Sequence, residues 1–282
     1  MKLAWSNAKS YDCSDVVVIG VPDDSGSHSK RRGSSKAPDT IRHVSHEREV
    51  FFRGGAWNVA AAQTGEIKSK IFDRGNVRKK DVEHIAYRSF ADGKMLVSIG
   101  GDHSITSEVL RGMNKVDKKI SVVYFDSHPD FVCSTRGYYG SVVCDIREFR
   151  NVDFSSSIEV GMRQPETEEL RNIDRGKLKT ITPIEIEEMG VEHALKIIKK
   201  KVGRNVYVSL DMDVVDPAFA PAVSTPVPGG ISSLQMVYLM KGLAEKGLIG
   251  FDLVEICPKY DVQHMTSHLA ARIIAETVAS SK

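Results

Sequence analysis

The sequence predicts an α/β protein in which a mostly parallel sheet of about eight strands is covered by helices on both faces. Short apolar runs rich in β-branched residues alternate with segments of helical spacing, which is the pattern of strand and crossover helix. Three of these apolar runs end abruptly in histidine and aspartate residues. Because ligands bind beyond the carboxyl ends of parallel strands, we expect these polar clusters to meet at one edge of the sheet.

Seven strands can be placed from runs of β-branched, aliphatic and aromatic residues bounded by glycine or polar residues. They are residues 16–20, 95–99, 121–125, 157–161, 178–181, 206–210 and 248–254. Residues 51–75 are weakly patterned and predict no element.

Helices are predicted where apolar positions recur at spacings of three and four residues. The first begins at about Asp39, directly after Pro38, because proline is favoured in the first turn of a helix. Ser104 is expected to cap a helix that reaches about Gly112. The other predicted helices are residues 81–91, 165–172, 185–200, 232–245 and 266–280.

The composition is that of an ordinary globular protein and favours one domain over residues 1–282. Hydrophobic residues make up 41% of the chain, and the formal net charge of +2 is too small to indicate a nucleic-acid partner. No secretory leader pattern follows Met1, and no apolar run is long enough to span a membrane. We therefore expect a cytoplasmic protein with no membrane partner. The four cysteines have no repeated spacing, so no disulfide is expected.

The strongest functional pattern is Asp-Ser-His-Pro-Asp at residues 126–130, directly after a predicted strand. Alternate side chains of an extended segment share one face, so Asp126, His128 and Asp130 can converge on one small volume. Carboxylates crowded so closely repel one another unless a cation lies between them. The pattern therefore predicts a metal site.

Two other strand ends add further candidate ligands. Gly-Gly-Asp-His-Ser at residues 100–104 supplies His103, and Asp-Met-Asp at residues 211–213 supplies Asp211 and Asp213. Four carboxylates and two imidazoles are too many for one tetrahedral zinc ion, whereas an oxygen-rich set suits a pair of Mn²⁺ ions. Such a pair makes hydroxide available near neutral pH, which predicts hydrolytic chemistry.

At these residues the sequence resembles the ureohydrolases, the arginase and agmatinase family. The resemblance rests on the two motifs above and on Ser-Leu-Asp-Met-Asp-Val-Val-Asp-Pro at residues 209–217, in this order, and extends from about Val18 to the C-terminus. It implies the three-layer arginase-like fold with an eight-stranded sheet. It also implies a homo-oligomer of three or six chains.

The resemblance further implies two Mn²⁺ ions per chain with a bridging hydroxide. The implied ligands of one ion are His103, Asp126, Asp130 and Asp211, and those of the other are His128, Asp213 and the shared Asp126 and Asp211. Asp102 and Asp216 are also acidic, but loop or capping roles are expected for both.

Glu255 follows the predicted strand at residues 248–254 and resembles the family glutamate that binds the substrate guanidinium. A planar guanidinium forms a two-pronged charged pair with a carboxylate, which would fix its carbon over the attacking hydroxide. The predicted catalytic residues are Asp130, Glu255 and Tyr139. Agmatine, cleaved to urea and putrescine, is the expected small-molecule substrate.

The chain departs from the family pattern at two places. Tyr139-Gly140 stands where many members have a His-Gly pair whose histidine transfers protons. A phenol titrates at about pH 10 and is a poorer acid–base group at neutral pH than an imidazole, and His264 and His268 are weak candidates to replace it. Ala222-Val223-Ser224 replaces an expected Gly-Thr-Gly, which is expected to reshape the mouth of the pocket.

Several alternatives remain open at this point. Arginine is disfavoured because residues 131–135 lack the arginase-type loop that holds an α-amino acid, while guanidinobutyrate, guanidinopropionate and formimidoylglutamate stay possible. Tyr139 favours a second hypothesis, a metal-binding homologue with little catalysis. A deacetylase on a related sheet would use one zinc ion, so its metal content would distinguish it.

Overall fold

The computed structural model describes residues 1–47 and 67–281. Within them, eight strands form one sheet in the order β2-β1-β3-β8-β7-β4-β5-β6, and all neighbouring strands are parallel. The strands are β1 Val16–Gly20, β2 Ile71–Asn76, β3 Met95–Ile99, β4 Ser121–Phe125, β5 Ile158–Val160, β6 Lys179–Ile181, β7 Val206–Asp211 and β8 Leu248–Val254. The predicted α/β class is confirmed.

The edge strand β2 was missed in the prediction that residues 51–75 form no element. Residues 51–66 of that stretch lie outside the described residues, and β2 carries only two apolar side chains. Its buried polar residue, Asp73, is neutralised by Arg42, whose Nε and Nη2 donate to the carboxylate at 2.9 and 3.0 Å. A search for hydrophobic runs misses such a strand, because one of its buried side chains is a charged residue that an ion pair stabilises.

Nine helices surround the sheet in the described part of the chain. They are α1 Ala37–Val44, α2 Lys79–Ala91, α3 Ile105–Met113, α4 Val142–Ile146, α5 Thr167–Gly176, α6 Pro183–Met189, α7 Val191–Lys201, α8 Ser233–Lys246 and α9 Met265–Ser280. The short α4 was not predicted, because five residues are too few to display a helical period. The single helix predicted at residues 185–200 is wrong: Gly190, with φ 82°, separates α6 from α7.

Both faces of the sheet are buried, as expected for a parallel sheet between two helical layers. Along β1, Val16 and Val18 belong to one hydrophobic core, whereas Val17 and Ile19 belong to the other. Helices α1, α7, α8 and α9 contribute to the first core, and α2, α3 and α4 to the second. The alternation explains why the strands read as continuous apolar runs.

Four neighbouring strands, β3, β8, β7 and β4, form the centre of the sheet. Their carboxyl ends lie side by side, and each leads into one of the segments that the sequence singled out. The polar clusters therefore meet at one edge of the sheet. No helix in the described ranges is long and apolar enough to cross a membrane.

Candidate metal centre

His103 lies in the turn between β3 and α3 and points towards the end of β4. Its Nδ1 is 3.1 Å from Asp126 Oδ2, 2.7 Å from Asp130 Oδ2 and 3.5 Å from Asp211 Oδ2. The turn needs glycine, because a Cβ on Gly101 would lie only 1.8 Å from the backbone oxygen of Asp23. This close packing of two loops places the imidazole over the strand ends.

His128 forms a second cluster on the other side of Asp126. Its Nδ1 is 3.0 Å from Asp213 Oδ2 and 3.6 Å from Asp126 Oδ1. The ligand atoms of two groups are close enough to hold one cation each, namely His103, Asp126 and Asp211, and Asp126, His128 and Asp213. Asp126 is common to both groups, so they adjoin.

The electrostatics of this cluster require a positive charge. Burial by itself lowers the pKa of His103, but the carboxylates of Asp126 and Asp130 outweigh it and raise the pKa well above the usual range. Burial and the neighbouring charges also raise the pKa of Asp130 and Asp211. In the protein alone, protons must supply the charge that neutralises these carboxylates.

Two buried atoms at the centre of the cluster fit a metal. His103 Nδ1 and Asp126 Oδ2 are buried and make no well-formed hydrogen bond among the described residues. Buried polar atoms are seldom left without a partner, so such a pair marks a position for a further group. Imidazole and carboxylate donors together suit Mn²⁺-like ions and offer no thiolate. The residues present therefore fit a divalent cation.

Glu255 lies directly after β8 and is fully buried. Its Oε1 accepts a hydrogen bond from the backbone N–H of His103 at 2.7 Å, and its Oε2 accepts one from the hydroxyl of Ser224. Burial raises the pKa of this carboxyl to about 8. A cationic group beside Glu255 would therefore be needed to keep it ionised at neutral pH.

A pocket of about 280 Å³ opens beside the cluster, with His128 and Asp130 at its base. Its wall includes Tyr138, Tyr139, Gln164, Glu166, Glu169 and Thr225. Burial and the charges of Glu255 and Asp130 raise the pKa of Tyr139, so its phenol remains protonated in the neutral range. All eight residues predicted for the site thus lie around one pocket or the cluster beneath it.

An aromatic cluster that the sequence did not indicate borders this pocket. The ring of His28 stacks on Tyr138 with centroids 4.9 Å apart and meets Tyr139 edge-on at 6.0 Å. The backbone N–H of Tyr139 also donates to the carbonyl of Gly26 at 3.2 Å. His28 lies in the loop after β1, and no sequence pattern joins this loop to residues more than a hundred positions away.

The expectation that no disulfide forms is wrong. Cys133 and Cys144 are joined by a disulfide, with their Cα atoms 5.5 Å apart, while Cys13 and Cys257 are free. A single spacing of eleven residues does not predict a pairing, because the pairing depends on how α4 folds back against the segment after β4. The disulfide closes the loop that carries Tyr138 and Tyr139.

Four other predicted roles can be compared with the structure. Asp102 accepts hydrogen bonds from the backbone of Gly26 and Ser104, and Asp216 from Ala218, Gly229 and Gly230, so of the expected loop or capping roles both residues have the loop role. Ser104 stands at the start of α3, but its hydroxyl bonds to Asp102 and not to the helix. His268 pairs with Glu47 and His264 packs on His43, so neither contacts the pocket residues named above.

An all-parallel α/β sheet whose central strand ends gather histidine and aspartate into two adjoining groups has the architecture expected of a metal-dependent hydrolase. The sequence model of the Arginase family matches residues 14–279. The chain therefore belongs to the Arginase family and is a ureohydrolase, an enzyme that hydrolyses carbon–nitrogen bonds.

Individual relatives agree with this assignment. A proclavaminate amidinohydrolase from Streptomyces clavuligerus is 34% identical over 93% of this chain and 86% of its own. An agmatinase from Escherichia coli (strain SE11) is 31% identical over 96% of this chain and 89% of its own. The crystal structure of an agmatine ureohydrolase from Thermoplasma volcanium has a TM-score of 0.84 and 29% identity, covering 99% of this chain and 94% of the other.

Proposed function

We propose that this chain is a binuclear manganese ureohydrolase that cleaves agmatine to urea and putrescine. The observation that carries the substrate assignment is the charge of the pocket wall. Glu166 and Glu169 line it together with two tyrosine rings, and none of the described residues that line it is lysine or arginine. Such a wall favours a substrate whose far end is cationic, as in agmatine, over one that ends in a carboxylate.

The proposed metal ligands are those of the two adjoining groups, with Asp130 added to the first and Asp211 added to the second. His103, Asp126, Asp130 and Asp211 would hold one Mn²⁺, and His128, Asp213, Asp126 and Asp211 the other. When bound, such a pair supplies Lewis acidity and makes water nucleophilic near neutral pH.

The chain's own residues would orient the substrate and move protons. Glu255 would bind the guanidinium through two parallel charged hydrogen bonds and hold its carbon in place. Asp130 lines the pocket next to His128, where its carboxylate would accept the proton released by the attacking water. Tyr139, still protonated, would donate a proton to the leaving amine.

A guanidino acid is the second candidate substrate. The 34% identity to a proclavaminate amidinohydrolase supports it, because that protein's name describes an anionic substrate. The acidic pocket wall argues against it for this chain, because a carboxylate tail would face Glu166 with no cation from the lining residues to compensate.

The experiment that tests this assignment compares two substrates that share a guanidino group and differ in tail charge. Manganese-loaded protein should release urea from agmatine with a kcat/KM at least about tenfold above that for 4-guanidinobutyrate, as expected for one charged contact. Glu166→Lys should reduce or reverse this preference, whereas Glu188→Lys, an equal charge change on the exposed face of α6, should not. A wild-type preference for 4-guanidinobutyrate would overturn the agmatine assignment.

The assembly proposed from the family resemblance is a homo-oligomer of three or six identical chains, each a single ureohydrolase domain over residues 1–282. Exposed apolar side chains on α6 and α8, including Ile184 at 71% and Leu234 at 77% exposure, are compatible with contacts between chains.

A further inference from the structure

We propose that Ser224 is a positioning residue that fixes the plane of the Glu255 carboxylate for a guanidinium ligand. The inference rests on the proposed role of Glu255 and deepens it, because it names what makes this carboxylate selective for a planar, two-pronged cation. Ser224 contacts neither the histidines nor the aspartates of the metal groups through any of its hydrogen bonds among the described residues.

Among the described residues, each oxygen of Glu255 has one hydrogen-bond donor. The backbone N–H of His103 donates to Oε1, and the Ser224 hydroxyl donates to Oε2. A carboxylate that is held at both oxygens cannot rotate freely about its terminal bond, and each oxygen keeps a further lone pair. All acceptor positions of a carboxylate lie in its plane, so fixing that plane also fixes the plane in which the paired N–H groups of a guanidinium can be bound.

The backbone of Ser224 is tied to Glu255 as well. Its N–H donates to the carbonyl of Glu255 at 3.1 Å, and Val223 and Ile256 form an antiparallel bridge beside it. Glu255 itself has φ 68°, a conformation that a residue with a side chain adopts only when its surroundings impose it. The segment of Ser224 and the turn of Glu255 therefore form one rigid unit.

A second loop fixes this unit from outside. Ser29 donates its hydroxyl to the carbonyl of Ser224 at 2.8 Å, and Arg31 donates to the carbonyls of Val223 and Pro221 at 3.0 Å. The Arg31 guanidinium lies 4.0 Å from the ring centroid of Tyr260. Ser224 is thus held before any substrate arrives, and preorganisation of this kind lowers the cost of binding.

The test replaces the hydroxyl and measures binding and turnover. Ser224→Ala should raise the KM for agmatine about tenfold with kcat changed less than about threefold, because the lost hydrogen bond supports the bound guanidinium in ground and transition state alike. Ser224→Thr, which keeps the hydroxyl, should restore the KM to within about threefold of the wild type. Calorimetric affinity for guanidinium chloride should fall in parallel in Ser224→Ala.

Cys257→Ala is the matched control, because Cys257 Sγ also lies within hydrogen-bond distance of the Ser224 hydroxyl, at 3.3 Å. This variant should keep the wild-type KM, and all variants should keep the wild-type manganese content and thermal midpoint. An unchanged KM in Ser224→Ala, a defect confined to kcat, an equal defect in Cys257→Ala, or a folded Ser224→Thr without recovery would each overturn the inference.

Failure of the proposed function would look different. If the wild-type protein released urea from no guanidino compound, the proposed hydrolysis of agmatine would be refuted. The affinity for guanidinium would still fall in Ser224→Ala if the inference holds. Equal guanidinium affinity in the two proteins would overturn the inference whatever the activity.

Discussion

At the residue scale, two residues of the candidate site have strained backbone conformations. Asp130 and Glu255 have φ angles of 47° and 68°, which are uncommon for residues other than glycine. Such conformations persist when the surroundings hold them, and they concentrate at functional sites. The two residues are a candidate base and the candidate guanidinium ligand, so the strain lies where geometry matters most.

Replacement of Tyr139 by phenylalanine tests the proposed proton donor. Tyr139→Phe keeps the ring packed against His28 but removes the hydroxyl, so kcat for agmatine should fall on the order of 10²-fold, the lower end of what a general acid contributes. Tyr138→Phe is the control, because its ring also borders the pocket, and it should change kcat by less than about threefold. Equal kcat in Tyr139→Phe and wild type would exclude the phenol as donor.

The buried charges predict how stability depends on pH without metal. Burial raises the pKa of Glu255 from 4.5 to about 8, and Asp213 and Asp126 overcome burial to raise that of His128 from 6.5 to about 12. In both cases the folded chain binds more protons than the unfolded chain, so the free energy of unfolding falls as pH rises from about 5 to about 9.

Thermal unfolding in EDTA at several pH values measures this effect. The midpoint of the metal-free protein should fall steadily across that range, and saturating Mn²⁺ should raise it more at pH 9 than at pH 6, because the ions replace the missing protons. The pKa of Asp213 is lowered, so this residue changes the free energy of unfolding only at pH values below this range. A metal-free midpoint that rises with pH would contradict the charge arrangement described for the cluster.

Some residues of the candidate site could be predicted from the sequence, and some of their contacts could not. His103, Asp126, His128 and Asp213 were predicted because alternation along an extended segment and the end of a strand place ligand types together. The contacts of Ser224 with Glu255 and of His28 with Tyr138 were not predicted, because they join loops that are distant in sequence and have no period.

At the element scale, regular structure was predictable where it was hydrophobic and long. The central strands β3, β4, β7 and β8 read directly as apolar runs, because helices cover both of their faces. The edge strand β2 depends on the buried pair of Arg42 with Asp73, and α4 is too short to show a period. The break between α6 and α7 depends on one glycine with positive φ.

The disulfide is a second element-scale feature, since it closes the loop between the end of β4 and α4. Thiol titration of denatured, unreduced protein should give two thiols, from Cys13 and Cys257, and four after reduction. Replacing Cys133 and Cys144 together by serine should lower the free energy of unfolding by about 3 kcal/mol, as for a short closed loop. Cys13→Ser is the exposed control, and four thiols before reduction would contradict the pairing.

At the scale of the whole molecule, the fold gathers four strand ends at the centre of one sheet and thereby the residues of four distant segments. The order of the strands could not be read from hydrophobic patterns, although the family resemblance implied the eight-stranded architecture. The pocket above the strand ends comes from loops, and its acidic wall arises from the start of α5, where Glu166 and Glu169 lie. The pocket wall therefore comes from loops and the start of α5, whereas the candidate metal ligands follow the ends of the sheet strands.

The most direct test of the central claim is urea release from agmatine by metal-free protein titrated with Mn²⁺. Activity should be absent without metal and should rise to a plateau at about two Mn²⁺ per chain, because the two groups that share Asp126 can each hold one ion. Full activity with one ion bound, or no urea from agmatine with two ions bound, would contradict a binuclear agmatine ureohydrolase.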